Sequence, residues 1–211
     1  EKTAQKEPGK KPAPSKKPKP QQEVVIQIPL SELHPFPDHP FQVREDASMQ
    51  ETAESVKEYG VLVPALARPR EDGGYELIAG HRRKHACELA GLATMPVIVR
   101  DIDRDAATII MVDSNLQREN ILPSERAKAY KMKMEAIKRQ GARTDLTSPK
   151  ISAKFRSDDE VGQDAGVSGD TIRNYIALTQ LVPELQQMVD EKKIALSPAY
   201  QIAALTPKEQ G

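Results

Sequence analysis

Between residues 10 and 140, glycine occurs only at positions 60, 73, 74, 80 and 91, and these breaks limit what the chain between them can form. The segments they bound are short, and their apolar period switches between that of a helix and that of a strand. Met49, Ala53, Val56 and Tyr59 recur at helical spacing. Ser48-Met49-Gln50-Glu51 precedes them as a capping box, and Gly60 stands where a helix terminator belongs. Residues 61–68 and 75–79 read as strands joined by a turn at Gly73-Gly74. Gly80 opens a helix over 81–90 that Gly91 stops. Residues 24–28 (VVIQI) form a strand ended by Pro29, and 95–99 form another. Residues 34–40 (HPFPDHP) hold three prolines and predict an extended loop.

After residue 104 the pattern turns helical. Helices are expected over 105–113 and 124–140, a polar loop over 141–157, and short, closely spaced helices from 158 onward. The expected fold class is α+β: a small mixed α/β domain over 23–104 followed by an all-α domain over 105–211. Residues 1–22 are rich in Lys and Pro with almost no apolar side chain, so they cannot bury enough surface to offset ordering and read as a disordered tail. Two readings of the tail stand side by side, a solvated linker and a tether or non-specific DNA arm.

Thirty-one basic residues balance thirty-one acidic ones. Zero net charge argues against a nucleic-acid partner only on average. Residues 1–20 carry seven Lys and two Glu, and residues 121–156 carry ten Lys or Arg and three acids. Local patches, not the total, set the field a phosphate backbone feels. No stretch approaches the ~18 apolar residues of a membrane span, and no secretory leader follows the basic start. Cys87 is the only cysteine, which excludes an internal disulfide and fits a reducing cytoplasm; it reads as a small buried helix residue rather than a catalytic thiol. The first residue is Glu1 rather than Met, which suggests a piece of a longer chain.

Residues 158–178 (DDEVGQDAGVSGDTIRNYIAL) have the pattern of a helix-turn-helix. Val161 and Ala165 share one helix face, Gly166 makes the turn, Val167 fills the gap, and Ile172 and Tyr175 form the apolar face of a second helix. That second helix would present Ser168, Gly169, Asp170, Thr171, Arg173 and Asn174 to base edges and phosphates. A generic helical hairpin fits the same pattern. Gly162 is a poor helix former in the first helix, and Arg173 is the only base of an acidic segment, so phosphate contacts would fall to residues 121–156.

Gly80-His81-Arg82-Arg83 stands at a strand-to-helix junction. A glycine that admits close backbone approach, free N–H groups at a helix start and two guanidinium forks together suit a phosphate. Taken alone, the two arginines are better explained as solvated. Residues 113–120 (DSNLQREN) add a dense polar cluster between two helices, either a ligand site or a capping loop. His81 and His85 share a helix face at i, i+4, but without a Cys partner or an HExxH pattern they do not read as a zinc site.

In order along the chain, these motifs resemble the ParB family of partition proteins. HPFQVR (39–44) is similar to N-P-x-Q-P-R, GVLVPALAR (60–68) to G-x-x-Q-P-x-x-V-R, and GHRRKHA (80–86) to G-E-R-R-x-x-A. SNLQREN (114–120), continued by Pro123 and Glu125, is similar to E-N-x-Q-R-E, and KKIALSPAYQIAAL (192–205) to G-x-I-S-x-x-H-A-x-x-L. The resemblance implies an N-terminal domain that binds CTP with Mg2+, and a helix-turn-helix that binds an inverted-repeat centromere site. It also implies a homodimer that closes as a CTP-gated clamp, and a tail that engages a ParA-type ATPase. The family's C-terminal dimerisation domain is not visible before Gly211. Carried over by position, the nucleotide site comprises Arg44, Gly60, Pro64, Gly80, His81, Arg82, Arg83, Ser114 and Asn115, with Asn115 the metal ligand. His81 and Ser114 stand where the family has Glu, and Val63 where it has Gln. Carboxylates hold magnesium and orient water, so the expectation is weak or no CTP hydrolysis.

Two further functions fit the residues. One is a plasmid or mobile-element regulator that has lost the switch. The other is a nuclease or phosphotransferase built on the same fold, which the missing carboxylates disfavour. A protein–protein scaffold would lack salt-dependent DNA affinity.

Overall fold

The computed structural model describes residues 23–118, 120–145 and 157–211; the tail at 1–22, Glu119 and residues 146–156 of the expected loop lie outside the described residues. The first half alternates as the glycines imply. Strand β1 (Val25–Pro29) runs through a short 3-10 turn into β2 (Leu33–Pro35). Helix α1 (Ala47–Tyr59), strands β3 (Ala65–Pro69) and β4 (Tyr75–Ala79), helix α2 (His81–Leu89) and β5 (Thr94–Val99) follow. The sheet order is β1-β5-β3-β4-β2, with β1–β5 and β3–β4 antiparallel and β3–β5 and β2–β4 parallel.

Both faces of this sheet are covered. Successive side chains of a strand point to opposite faces, and Leu77 and Ile78 of β4 are both fully buried in different cores. Leu77 packs with Ile28, Met49, Val56, Cys87, Met95 and Val97 beneath α1 and α2. Cys87 is buried there, and burial pushes its thiol pKa up, as suits a packed residue. Ile78 packs instead with Phe36 and Phe41 of the loop after β2 and with Ala107, Met111 and Val112 of the second layer. That layer is α3 (Arg104–Leu116) and α4 (Pro123–Asp145). Helices α5 (Ser157–Ala165), α6 (Gly169–Ala177), α7 (Pro183–Asp190) and α8 (Leu196–Ile202) complete the chain. This is a mixed α/β region followed by a helical one, and α4 is their shared spine. Ala129 joins the sheet-side core, Tyr130 the core beneath α5 and α6, and Ala127 the core formed with α7 and α8. Among the described residues no helix is long and apolar enough to cross a membrane.

Several boundaries differ from the expectation for physical reasons. Helix α1 is capped by Asp46, whose Oδ1 accepts from Met49 N at 2.9 Å, rather than by Ser48 two residues on. The proline-rich loop begins as a three-residue edge strand, with Pro35 at its end, where no ladder bond is lost. Residues 61–64 are a turn rather than strand: Leu62 and Val63 are 77% and 64% exposed. Helix α3 continues to Leu116, so Ser114 and Asn115 are helical rather than in a connecting loop. Helix α4 passes through Gly141 to Asp145; a mid-helix glycine costs only about 1 kcal/mol. Gly162 is not a weak choice. A Cβ there would lie 2.6 Å from the carbonyl oxygen of Val167, so the close crossing of α5 and the turn requires glycine.

Candidate functional site

Helix α2, the loop after β2 and the segment between α3 and α4 enclose a cleft of about 530 Å³. Its basic lining is Arg44, Arg82 and Arg118, with Gln42, Gln117 and Asn120 between them. Arg82, on the first turn of α2, donates from Nη2 to Ser48 Oγ at 3.2 Å and lies 3.7 Å from Asp46. Arg44 lies 3.8 Å from Glu125. Glu125 is buried in the first turn of α4 and accepts from Gln42 N at 3.0 Å and Leu122 N at 3.1 Å. Its carboxylate thereby ties the loop that carries Arg44 to the helical layer. Burial and the nearby charges of Arg82 and Arg83 push the Arg118 guanidinium below its usual range, with Glu125 opposing. Guanidiniums that crowd in this way are relieved by a polyanion, for which their forked geometry is suited.

The remaining nucleotide-site candidates divide by position. Gly80 is left-handed (φ 110°) at the start of α2, and a Cβ there would lie 2.8 Å from Ala65 Cβ. Glycine is therefore demanded by the close pass of β3, and no described side chain caps the N–H groups that follow. Arg83 donates to the carbonyls of Val63 (2.5 Å) and Pro64 (2.6 Å), so it anchors the turn that begins at Gly60. Gly60, Pro64 and Arg83 thus form one unit beside the cleft lining rather than part of it. Asn115 is 2% exposed; its Nδ2 donates to Met111 O at 2.7 Å, while its buried Oδ1 has no partner. An orphaned buried acceptor costs roughly 1–3 kcal/mol, which a bound water, ion or ligand atom would offset. Ser114 turns its hydroxyl back to Met111 O at 3.0 Å.

His81 packs against His39 in a tilted contact, ring centroids 3.9 Å apart and planes 43° apart. Burial, with His39, Arg118 and Lys84 nearby, lowers the His81 pKa to about 3, and burial lowers that of His39. Both rings are therefore neutral near pH 7. Magnesium takes oxygen ligands in strict octahedral geometry. Here the one orphaned oxygen is Asn115 Oδ1, His81 offers nitrogen, and the Ser114 hydroxyl is engaged. Among the described residues no group of three or more His, Cys, Asp or Glu gathers for a metal. Among these side chains Asn115 Oδ1 is the oxygen left open for magnesium, so ligand phosphates and water would have to complete its shell.

The helix-turn-helix candidates sit on α6. Ser168 caps it, accepting from Thr171 N at 3.1 Å. Gly166 takes the left-handed turn (φ 69°), and Val161, Ile172 and Tyr130 bury the crossing. Ser168, Asp170, Arg173 and Asn174 are exposed and Thr171 is half-buried. Gly169 is buried against Asp159, so it serves the crossing instead of facing outward. Arg173 is paired with both Asp158 and Asp170. Helix α4 carries exposed Lys128, Lys138 and Arg139, the last paired with Asp105.

Arg118, Gln117 and Asn120 belong to the quoted 114–120 motif but did not stand out as site residues, and neither did Asp46. What reveals them is convergence: Gln42 and Glu125 meet although 83 positions apart.

Known proteins resemble this chain over both of its regions. Residues 14–116 match the ParB N-terminal domain and residues 149–211 the ParB HTH domain. The chain is 34% identical over 187 residues to the chromosome-partitioning protein Spo0J of Thermus thermophilus, covering 88% of this chain and 62% of that one. It is 30% identical over 189 residues to the stage 0 sporulation protein J of Bacillus subtilis, covering 90% and 61%. The chain thus spans less than two thirds of the length of these relatives. Among solved structures, it matches the C-terminally truncated ParB of Caulobacter crescentus complexed to the centromeric parS site, with TM-score 0.55 and 27% identity over 87% of this chain and 88% of that one. Two domain models matched in order and relatives at 30% identity and above lead to one conclusion: this chain belongs to the ParB family.

Proposed function

We propose that this chain is the nucleotide- and DNA-binding part of a partition protein: a homodimer that binds an inverted-repeat centromere site and closes on DNA as a CTP-gated clamp. The observation that carries it is the shared helix α4. Its first turn supplies Glu125, which ties down the arginine cleft, and one turn later Tyr130 packs under α5 and α6. A ligand in the cleft and DNA on α6 would act on one rigid element. The relative bound to parS supports the DNA partner. The cleft supports a polyphosphate ligand, and the family resemblance makes it CTP. The phosphates would meet Arg44, Arg82 and Arg118, with the open N–H groups at the start of α2. Exposed Ser168, Asp170, Arg173 and Asn174, with half-buried Thr171, would face the major groove, and Lys128 and Lys138 would serve the phosphates. With His81 and Ser114 in place of carboxylates, hydrolysis is slow or absent. The tail at 1–22 would engage the ParA-type ATPase, and the protein would work in the cytoplasm on the nucleoid or a plasmid.

Fluorescence anisotropy on a parS duplex and a scrambled one tests this reading. Tight binding to parS alone, weakening steeply with salt, is expected. On a duplex blocked at both ends, CTP should raise the number of protomers held per site. Equal affinity for both duplexes would overturn the reading. Site-specific binding with no effect of CTP would favour the regulator without a switch.

A further inference from the structure

Besides Asn115 Oδ1, two imidazole nitrogens are unpartnered near this cleft, tied to it through Phe41. The Nε2 atoms of His39 and His81 are both buried and both without a hydrogen-bond partner, on tilted rings whose centroids lie 3.9 Å apart. His39 Nδ1 lies 2.8 Å from the carbonyl oxygen of Phe41. A carbonyl can only accept, so Nδ1 carries the proton and Nε2 is left with its lone pair. A backbone carbonyl that orients an imidazole in this way is the usual outer support of a metal-bound histidine. Phe41 also lines the arginine cleft, and Arg118 and Glu125 of the cleft act electrostatically on His39.

We propose that His39 and His81 bind a borderline-soft divalent cation, of the zinc type, through their two Nε2 atoms, with phosphate oxygens in the adjoining cleft or water completing its coordination. Imidazole nitrogen suits zinc, cobalt and nickel, whereas magnesium takes oxygen. Arg118 and Lys84, the cations that bear on His81, oppose a bare metal ion there. A polyanion among the arginines reverses that field, so metal and polyanion strengthen each other's binding, by the same factor in each direction. Only this last feature rests on the nucleotide reading.

The test is calorimetric titration of the full chain with Zn2+, alone, with CTP and with inorganic pyrophosphate, and with Co2+ as an optical probe. One equivalent of Zn2+ should bind at least tenfold more tightly with CTP or pyrophosphate present, excess Mg2+ should not displace it, and Co2+ should show visible absorption typical of nitrogen ligation. His39→Gln and His81→Gln should each weaken Zn2+ at least tenfold. His85→Ala, on the exposed pair with Glu45 and Glu88, should leave it unchanged. Zn2+ should raise the melting temperature of the unaltered protein and EDTA should reverse this, a readout that needs no variant. Zn2+ affinity equal in unaltered protein and both histidine variants, or displacement by equimolar Mg2+, overturns the proposal. A CTP titration in EDTA stands apart: if CTP fails there and with Zn2+ while pyrophosphate still tightens Zn2+, the nucleotide reading falls and the metal site stands.

Discussion

The arginine cleft and the helix-turn-helix of this chain handle their polar groups in opposite ways. In the cleft, three guanidiniums converge, and Asn115 Oδ1 and two imidazole nitrogens nearby are buried with nothing to bond. In the helix-turn-helix, Ser168 caps its own helix, Arg173 is held by Asp158 and Asp170, and two glycines let the backbones touch. The first region is under-satisfied as a ligand site is before its ligand arrives. The second is finished as a shape, and works by presenting that shape.

Lys133 bridges the two regions, so the largest effect is expected there. It is fully buried in α4 and donates to Asp113 of α3 at 2.6 Å and to Asp164 of α5 at 2.8 Å. Burial works against its charge, but the two carboxylates outweigh it and raise its pKa. Replacing both, Asp113→Asn with Asp164→Asn, strands a buried ammonium and should cost about 3–5 kcal/mol in urea unfolding. Lys133→Met should cost distinctly less, because both acids remain half-exposed. Equal costs would mean the pairing contributes nothing beyond packing.

Gly162→Ala separates the two regions. Its methyl would meet the Val167 carbonyl at 2.6 Å, an overpacking cost of roughly 1–3 kcal/mol. DNA affinity should fall with CTP affinity unchanged. Arg82→Ala does the reverse: loss of a charge-assisted contact worth about 1.5–3 kcal/mol weakens CTP at least tenfold, while the melting temperature stays put. If either variant damages both activities equally, the cleft and the helix-turn-helix are not separable in the way described. The smallest effect is Ser168→Ala, a lost cap of about 1 kcal/mol, read by thermal melting.

What was legible in the sequence follows the same division. The alternation of strand and helix before residue 104 is readable because each glycine marks a boundary and each apolar period is local. The edge strand at Leu33–Pro35 is hidden by Pro35 and the prolines that follow it, and the Asp46 cap by the Ser48-x-x-Glu51 pattern that imitates one. Gly162 reads as a defect until the tertiary contact with Val167 explains it. At the site, Arg44 and Arg82 are visible from their motifs, but the partnership of Arg118 with them, and of Glu125 with Gln42, comes from chain segments that only folding brings together. The pairing of His39 with His81 is of the same kind: one lies in a proline-rich loop and the other opens a helix.

The most direct test of the central claim, that the under-satisfied cleft is a nucleotide site, is calorimetric titration of CTP and ATP into the unaltered protein and Arg82→Ala. Saturable binding of CTP, absent with ATP and lost in the variant, is the predicted result. No binding of CTP even with parS DNA present would contradict the account, and would leave the converging arginines without a ligand.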